Sequence, residues 1–227
     1  MSGRPTPIVS RSGAMALHVI AKLIVQLIVI GLIVAWVVWM HPRTGMLIAG
    51  GLWVSLTIYW TVKAKDSAEA KNSESTILRR LQPWLLNGTM ILLFVPVWGL
   101  AGRFLPDFSW LTPMGLCVQG SSSLLAVLAR QNLGRNWSAD VRILEGHKLV
   151  LSGPYRFIRH PLYAAVIGMC LGITLVSGQY HSLLAVIILV IFYWRKIPIE
   201  EMALRDAFGQ AYDQYRRKTW ALIPGIV

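Results

Sequence analysis

His147-Lys148-Leu149-Val150-Leu151-Ser152-Gly153-Pro154-Tyr155-Arg156-Phe157-Ile158-Arg159-His160-Pro161-Leu162-Tyr163 is a polar, turn-bearing stretch set between long apolar runs. What lies on either side of it decides the fold. Upstream stand four runs, about Leu17 to Met40, Met46 to Val62, Pro83 to Gly102 and Trp110 to Ala129, near the length of about 17–25 residues that crosses a bilayer as helix. Downstream stand two shorter ones, Leu162 to Val176 and Ser182 to Trp194, each below that length. They predict a short-helix hairpin that completes its crossing with flanking residues or re-enters the face it came from. The pattern specifies an all-α, polytopic transmembrane helical bundle with four long spans, the C-terminal hairpin and an amphipathic cytoplasmic tail helix. Residues 1–132 form its N-terminal membrane part and residues 133–227 a C-terminal region that carries the chemistry.

Composition excludes a soluble domain. Of 227 residues, 55% are hydrophobic and 14% charged, against about 25% charged in soluble domains. The net charge of +12 is a basic surplus of loops facing the cytoplasm, not a nucleic-acid footprint. With the N-terminus cytoplasmic, segments 1–16, 63–82, 130–160 and 195–220 hold two, five, six and six Lys or Arg, and the opposite side holds Arg43 and Arg103. That split of 19 to 2 places the opening stretch and the tail on one membrane face. The run from Leu17 is too long for a signal peptide and reads as the first span. Lys22 snorkels from it, and Trp36 and Trp39 mark its far interface. Pro83 opens the third run and Pro96 kinks it. Gln119 and Ser121 to Ser123 are packing contacts between helices, and Gly168 with Gly172 lets the hairpin helices approach closely. Cys117 and Cys170 lie in apolar runs and imply neither disulfide nor zinc site.

The tail from Arg195 to Tyr215 places Met202, Leu204, Phe208, Tyr212 and Tyr215 roughly on one helical face, with Pro198 and the pair Glu200-Glu201 near its start. Carboxylates there are favoured by the helix dipole, or by salt bridges to Arg195 or Arg205. They also share a membrane face with His147, Tyr155, Arg159, His160 and Tyr163, and a carboxylate pair at an interface must be solvated, paired or used. Nucleotide-binding glycine fingerprints and hydrolase elbows are absent from the sequence, and the 13-residue spacing of His147 and His160 does not suit a metal site.

The motif His147-x-Leu149-Val150-x-x-Gly153-x-Tyr155-x-x-x-Arg159-His160-Pro161-x-Tyr163 is followed by Glu200-Glu201-x-x-Leu204-x-x-x-Phe208-Gly209-x-x-Tyr212-x-x-Tyr215 and Ile223-Pro224. Together they resemble the isoprenylcysteine carboxyl methyltransferase family and its phospholipid-methyltransferase relatives, over about Leu133 to Pro224. The resemblance implies an integral membrane enzyme that moves the methyl of S-adenosylmethionine onto a lipophilic acceptor arriving from the bilayer, leaving S-adenosylhomocysteine. It implies that His147, Leu149 and Val150 line the cofactor cleft and that Tyr155 and His160, with Arg159 and Tyr163, hold its sugar, base or amino-acid part. Glu201 takes the α-amino group. Glu200 is the candidate base for a hydroxyl or amine acceptor, and Arg195 and Lys196 are the cations beside the reacting groups. Gly134-Arg135-Asn136-Trp137-Ser138 also looks family-like, so Arg135, Asn136 and Trp137 are expected to bind the acceptor.

Two positions depart from the family pattern. Ala165 stands where the family usually has Gly, and Lys196 where it favours Arg; Lys lacks the bidentate fork that suits a carboxylate. A prenylcysteine carboxylate, a lipid and a small thiol therefore remain open as acceptors. The alternatives are an NADPH-dependent sterol-type membrane reductase, which looks similar in its C-terminal half, and a non-catalytic membrane subunit.

Overall fold

A computed structural model describes residues 44–63, 77–134 and 149–225. The regular structure among them is helical: α1 (Thr44–Lys63), α2 (Ile77–Phe94), α3 (Leu111–Leu133), a 3-10 turn (Gly153–Arg156), α4 (Pro161–Ser177), α5 (Tyr180–Phe208) and α6 (Gln210–Lys218). Extended pairing among the described residues amounts to two isolated bridges. Helices α1, α3 and α5 are long and apolar enough to cross a membrane, while Trp84–Phe94 and α4 are shorter apolar segments. The first apolar run, with Lys22, Trp36 and Trp39, lies outside the described residues.

Three expectations are corrected. Helix α2 begins at Ile77 and stops at Phe94, so Pro83 does not open it and Pro96 ends it instead of kinking it. A proline has no N–H to give and biases the preceding residue, here Val95, away from helical geometry. The second arm of the hairpin is also not short: α5 runs 29 residues, straight through Pro198. The lost N–H bond is tolerated because the turns on both sides bury Tyr193, Lys196, Ile197 and Glu201. The expected tail helix is accordingly divided. Its first part continues α5, which ends where Gly209 adopts φ 52° and donates its N–H to Arg205 O at 2.8 Å, and α6 follows as a separate helix.

The third correction concerns the glycines of α4. They serve contact with α3 and not with α5: a Cβ on Gly172 would lie 2.6 Å from Gly115 O, and one on Gly168 would meet Ser122. Gln119 of α3 is fully buried and donates through Nε2 to Ala49 O of α1 at 2.8 Å, the polar packing role expected for it. Behind this seam Met46, Leu93, Phe94, Ile173, Leu189 and Phe192 share one core.

Cations close the helix ends. Arg130 is 2% exposed and donates to Lys63 O at 2.7 Å and Gly134 O at 2.8 Å. It thereby satisfies carbonyls at the C-termini of α1 and α3, where a positive charge is favoured. At the other end Arg103 donates to Ser177 O at 2.9 Å, beside Gly178, whose φ of 65° terminates α4. His181 joins α2 to α5, its Nδ1 2.7 Å from Leu92 O.

Gly172→Val should lower stability by about 2–3 kcal/mol through overpacking, read from thermal unfolding in detergent. Gly120→Ala, on the facing helix α3 but with open space where its Cβ would stand, should leave stability unchanged or slightly raised.

Candidate active site

The α4–α5 hairpin brings the two halves of the motif together at one end of the bundle. Pro161 occupies the first turn of α4, so its missing N–H costs nothing and Arg159 and His160 sit at the helix mouth. Opposite them, α5 presents Tyr193, Lys196 and Glu200 on one face and Glu201 on the next, one residue around the helix.

Arg159 is the centre of the polar network. Its Nε donates to Glu201 Oε1 at 2.7 Å, and its Nη1 donates to Arg216 O at 3.2 Å and to Thr219 O. The pair is nearly out of water, with the Arg159 and Glu201 side chains 10% and 11% exposed. Arg216 Nε approaches Glu201 Oε2 at 3.3 Å. His160 stands between the carboxylates, Nδ1 3.7 Å from Glu200 Oε2 and Nε2 3.4 Å from Glu201 Oε1. Glu201 is thus surrounded by two guanidinium groups and an imidazole.

Glu200 belongs to a different environment. It accepts a hydrogen bond from Tyr163 Oη at 2.5 Å and keeps 28% of its side chain exposed. The Tyr163 ring stacks on His160, with centroids 5.4 Å apart, and on Tyr193, with centroids 4.3 Å apart. Lys196 Nζ lies 5.3 Å from the Tyr163 ring centroid, a cation on an aromatic face. Tyr155 is buried, and desolvation, with the Glu200 charge, holds its hydroxyl well above the usual tyrosine range.

The C-terminal segment is bound to this mouth by backbone. Arg159 N–H donates to Trp220 O at 2.8 Å, His160 N–H to Ala221 O at 3.0 Å and Trp220 N–H to Phe157 O at 3.1 Å. Tyr215 Oη donates to Tyr155 O at 2.7 Å.

The structure therefore brings together Tyr155, Arg159, His160, Tyr163, Lys196, Glu200 and Glu201. Leu149 and Val150 are half-buried before the 3-10 turn. Arg195 is exposed and is not among the groups around the carboxylates, while Arg205 pairs with Asp213 at 3.1 Å. The expected bridges from Arg195 or Arg205 to the Glu pair are replaced by Arg159 and Arg216; Arg205, one turn beyond Glu201, is drawn to Asp213 of α6 instead. His147, Arg135, Asn136 and Trp137 lie outside the described residues. Sequence reading missed Tyr193, Arg130, Arg216 and Thr219. The first could have been found as the residue one turn or two before Lys196 and Glu200 on an unbroken helix; Thr219 acts through its backbone and leaves no side-chain signal.

Residues 114–206 match the model of the isoprenylcysteine carboxyl methyltransferase (ICMT) family. A probable protein-S-isoprenylcysteine O-methyltransferase of Oryza sativa subsp. indica is 30% identical over 125 residues, 54% of this chain and 65% of the relative. The protein-S-isoprenylcysteine O-methyltransferase of Schizosaccharomyces pombe is 38% identical over 81 residues, 35% of this chain and 34% of the relative. The chain thus spans less than two thirds of the length of these curated relatives. Its fold is that of the eukaryotic intramembrane Ras methyltransferase ICMT, with a TM-score of 0.60 at 20% identity over 87% of this chain and 74% of that one.

Burial pushes the Tyr215 hydroxyl up to about 12 from 10.0, against the opposing charge of Arg159. Because the folded value is the higher, the stabilisation is complete below pH 10 and is lost as pH rises towards 12. Tyr215→Phe should flatten that alkaline loss in a series of unfolding curves between pH 8 and 12.

Proposed function

We propose that the chain is an integral membrane methyltransferase of the isoprenylcysteine carboxyl methyltransferase family, a reading supported by the match of residues 114–206 to that family's model and by its relatives. It moves the methyl group of S-adenosylmethionine onto a lipophilic acceptor that enters from the bilayer, a prenylcysteine-type carboxylate being the acceptor class of its relatives' names. The observation that carries this reading is the joining of two distant motif halves, Arg159-His160 and Glu200-Glu201, into one carboxylate and aromatic cluster at the mouth of an apolar bundle.

The residues present fit the cofactor's chemistry. A group with an ammonium, a sulfonium and an adenine calls for a carboxylate with spare acceptor capacity and for aromatic faces. Glu200, partly exposed and hydrogen-bonded through one oxygen, supplies the first, and Tyr163, Tyr193 and His160 supply the second. Glu201, engaged by Arg159 and Arg216, has less capacity left and acts as the positioning carboxylate. This shifts the amine-holding role expected of Glu201 to Glu200. Tyr155, His147, Leu149 and Val150 complete the cofactor side; Arg135, Asn136 and Trp137 belong to the acceptor side.

When bound, S-adenosylmethionine supplies a methyl group activated by positive sulfur. The protein's own task is to hold donor and acceptor in line and keep water out, which by itself removes much of the barrier. A carboxylate acceptor needs no base, which leaves Glu200 free for the cofactor's ammonium. Lys196, buried against Tyr163, offers a positive charge for an anionic acceptor to approach. The excess of Lys and Arg in the segments that share a side with this mouth supports a cytoplasmic orientation for it, and residues 133–227 are proposed as the cofactor-carrying part.

Full-length protein in detergent, given radiolabelled S-adenosylmethionine, should label a prenylcysteine analogue in preference to a small thiol or extracted membrane lipid. Glu200→Gln should lower kcat/KM by about 10- to 100-fold, the worth of one hydrogen bond to a charged group. Binding of NADPH without binding of S-adenosylhomocysteine would replace this reading with the reductase.

A further inference from the structure

A cleft of about 470 Å³ opens on the second face of α5, between that helix, α6 and residues 221–222. Its polar lining includes Arg159, Arg205 and Arg216, and its apolar lining includes Trp194, Met202 and Leu222. Glu200, Tyr163 and Tyr193 are not part of it, so it is distinct from the aromatic cluster described above. Three guanidinium groups face one lining carboxylate, Glu201, and Asp213 pairs with Arg205 from α6. These five groups carry one net positive charge, and Arg217 and Lys218 extend the surplus along the last turn of α6.

The cleft has a second mark of a missing partner. Tyr212 lines it and is 1% exposed, yet its hydroxyl has no hydrogen-bond partner among the described residues. Desolvation keeps that hydroxyl protonated, a donor without an acceptor. Buried donors of this kind are costly, and an arriving oxygen relieves them.

Position along the helix supplies the ligand class. The apolar run of α5 ends at Trp194, which is followed directly by Arg195 and Lys196. Trp194 and Met202 are each 61% exposed, and Trp220 and Ile223 stand out nearby at 47% and 52%. Exposed indoles beside cations mark the headgroup level of a membrane. We propose that this cleft binds the phosphate headgroup of an anionic membrane lipid. Arg205, Arg216 and Tyr212 face the phosphate, and the acyl chains lie along Trp194 and Met202. Because Arg216 also contacts Glu201 Oε2, occupancy of the cleft bears on a cation that holds the neighbouring site. The inference stands independently of methyl transfer.

The test is thermal unfolding of the full chain in neutral detergent, titrated separately with phosphatidylglycerol, phosphatidylcholine and inorganic phosphate. Phosphatidylglycerol alone should raise Tm. Arg205→Glu should abolish the rise and Tyr212→Phe should weaken the lipid's half-effect concentration by about tenfold; Arg217→Glu, which is not in the cleft, should preserve it. An equal rise with phosphatidylcholine, an equal rise with inorganic phosphate, or an equal loss in Arg217→Glu would overturn the proposal. Should Arg205→Glu not fold, Tyr212→Phe decides: an unchanged half-effect concentration refutes the site.

Discussion

One buried ion pair organises the functional end of this protein. Arg159 and Glu201 stand 42 residues apart in sequence and meet at 2.7 Å with both side chains nearly out of water. A nearly buried charge needs its partner: removing one side of a buried pair and leaving the other uncompensated costs about 3–5 kcal/mol, and here Arg216 and His160 share part of that load on Glu201. The position of α5 against the mouth of α4, the seat of the C-terminal segment on residues 157–160 and the separation of Glu200 from Glu201 all follow from satisfying that one guanidinium. Its Nη1 reaches the carbonyls of Arg216 and Thr219, which ties α6 to the same point.

The bundle beneath supplies the rigidity that makes such a contact specific. Apolar side chains give no preference for protein over lipid inside a bilayer, so helices there hold together by close backbone approach and by hydrogen bonds that span helices. Gly115 against Gly172 and the Gln119 to Ala49 bond are those two devices. The first fixes α4 on α3 and the second fixes α3 on α1, and together they set the height at which His160 emerges. Arg130 then closes two helix ends at the same level, so the chemistry sits on element termini whose backbone groups are already satisfied.

Much of this is legible in the sequence, for identifiable reasons. Apolar runs of membrane length announce helices, the distribution of Lys and Arg announces a common face for the motif halves, and Tyr155, Arg159, His160, Tyr163 and the Glu pair do assemble. What sequence could not settle was relational. Pro198 reads as a helix start, yet the helix passes through it because burial on both sides outweighs one lost hydrogen bond. Gly168 and Gly172 announce a close approach without naming the partner, which proves to be α3. Arg195 and Arg205 read as partners for the Glu pair by proximity in sequence, but Arg205 pairs with Asp213 of α6 and Glu201 is met by Arg159 and Arg216 from other segments. Thr219 contributes a carbonyl, which every residue has.

The most direct test of this account is a double-mutant cycle on Arg159→Leu and Glu201→Gln, with unfolding free energy measured for the full chain in detergent. The account predicts a coupling of about 1 kcal/mol or more, because each single change removes the nearest countercharge of a nearly buried group, Arg216 and His160 remaining beside Glu201 when Arg159 is lost. Additivity within about 0.5 kcal/mol would show that the two side chains do not depend on one another and would contradict it.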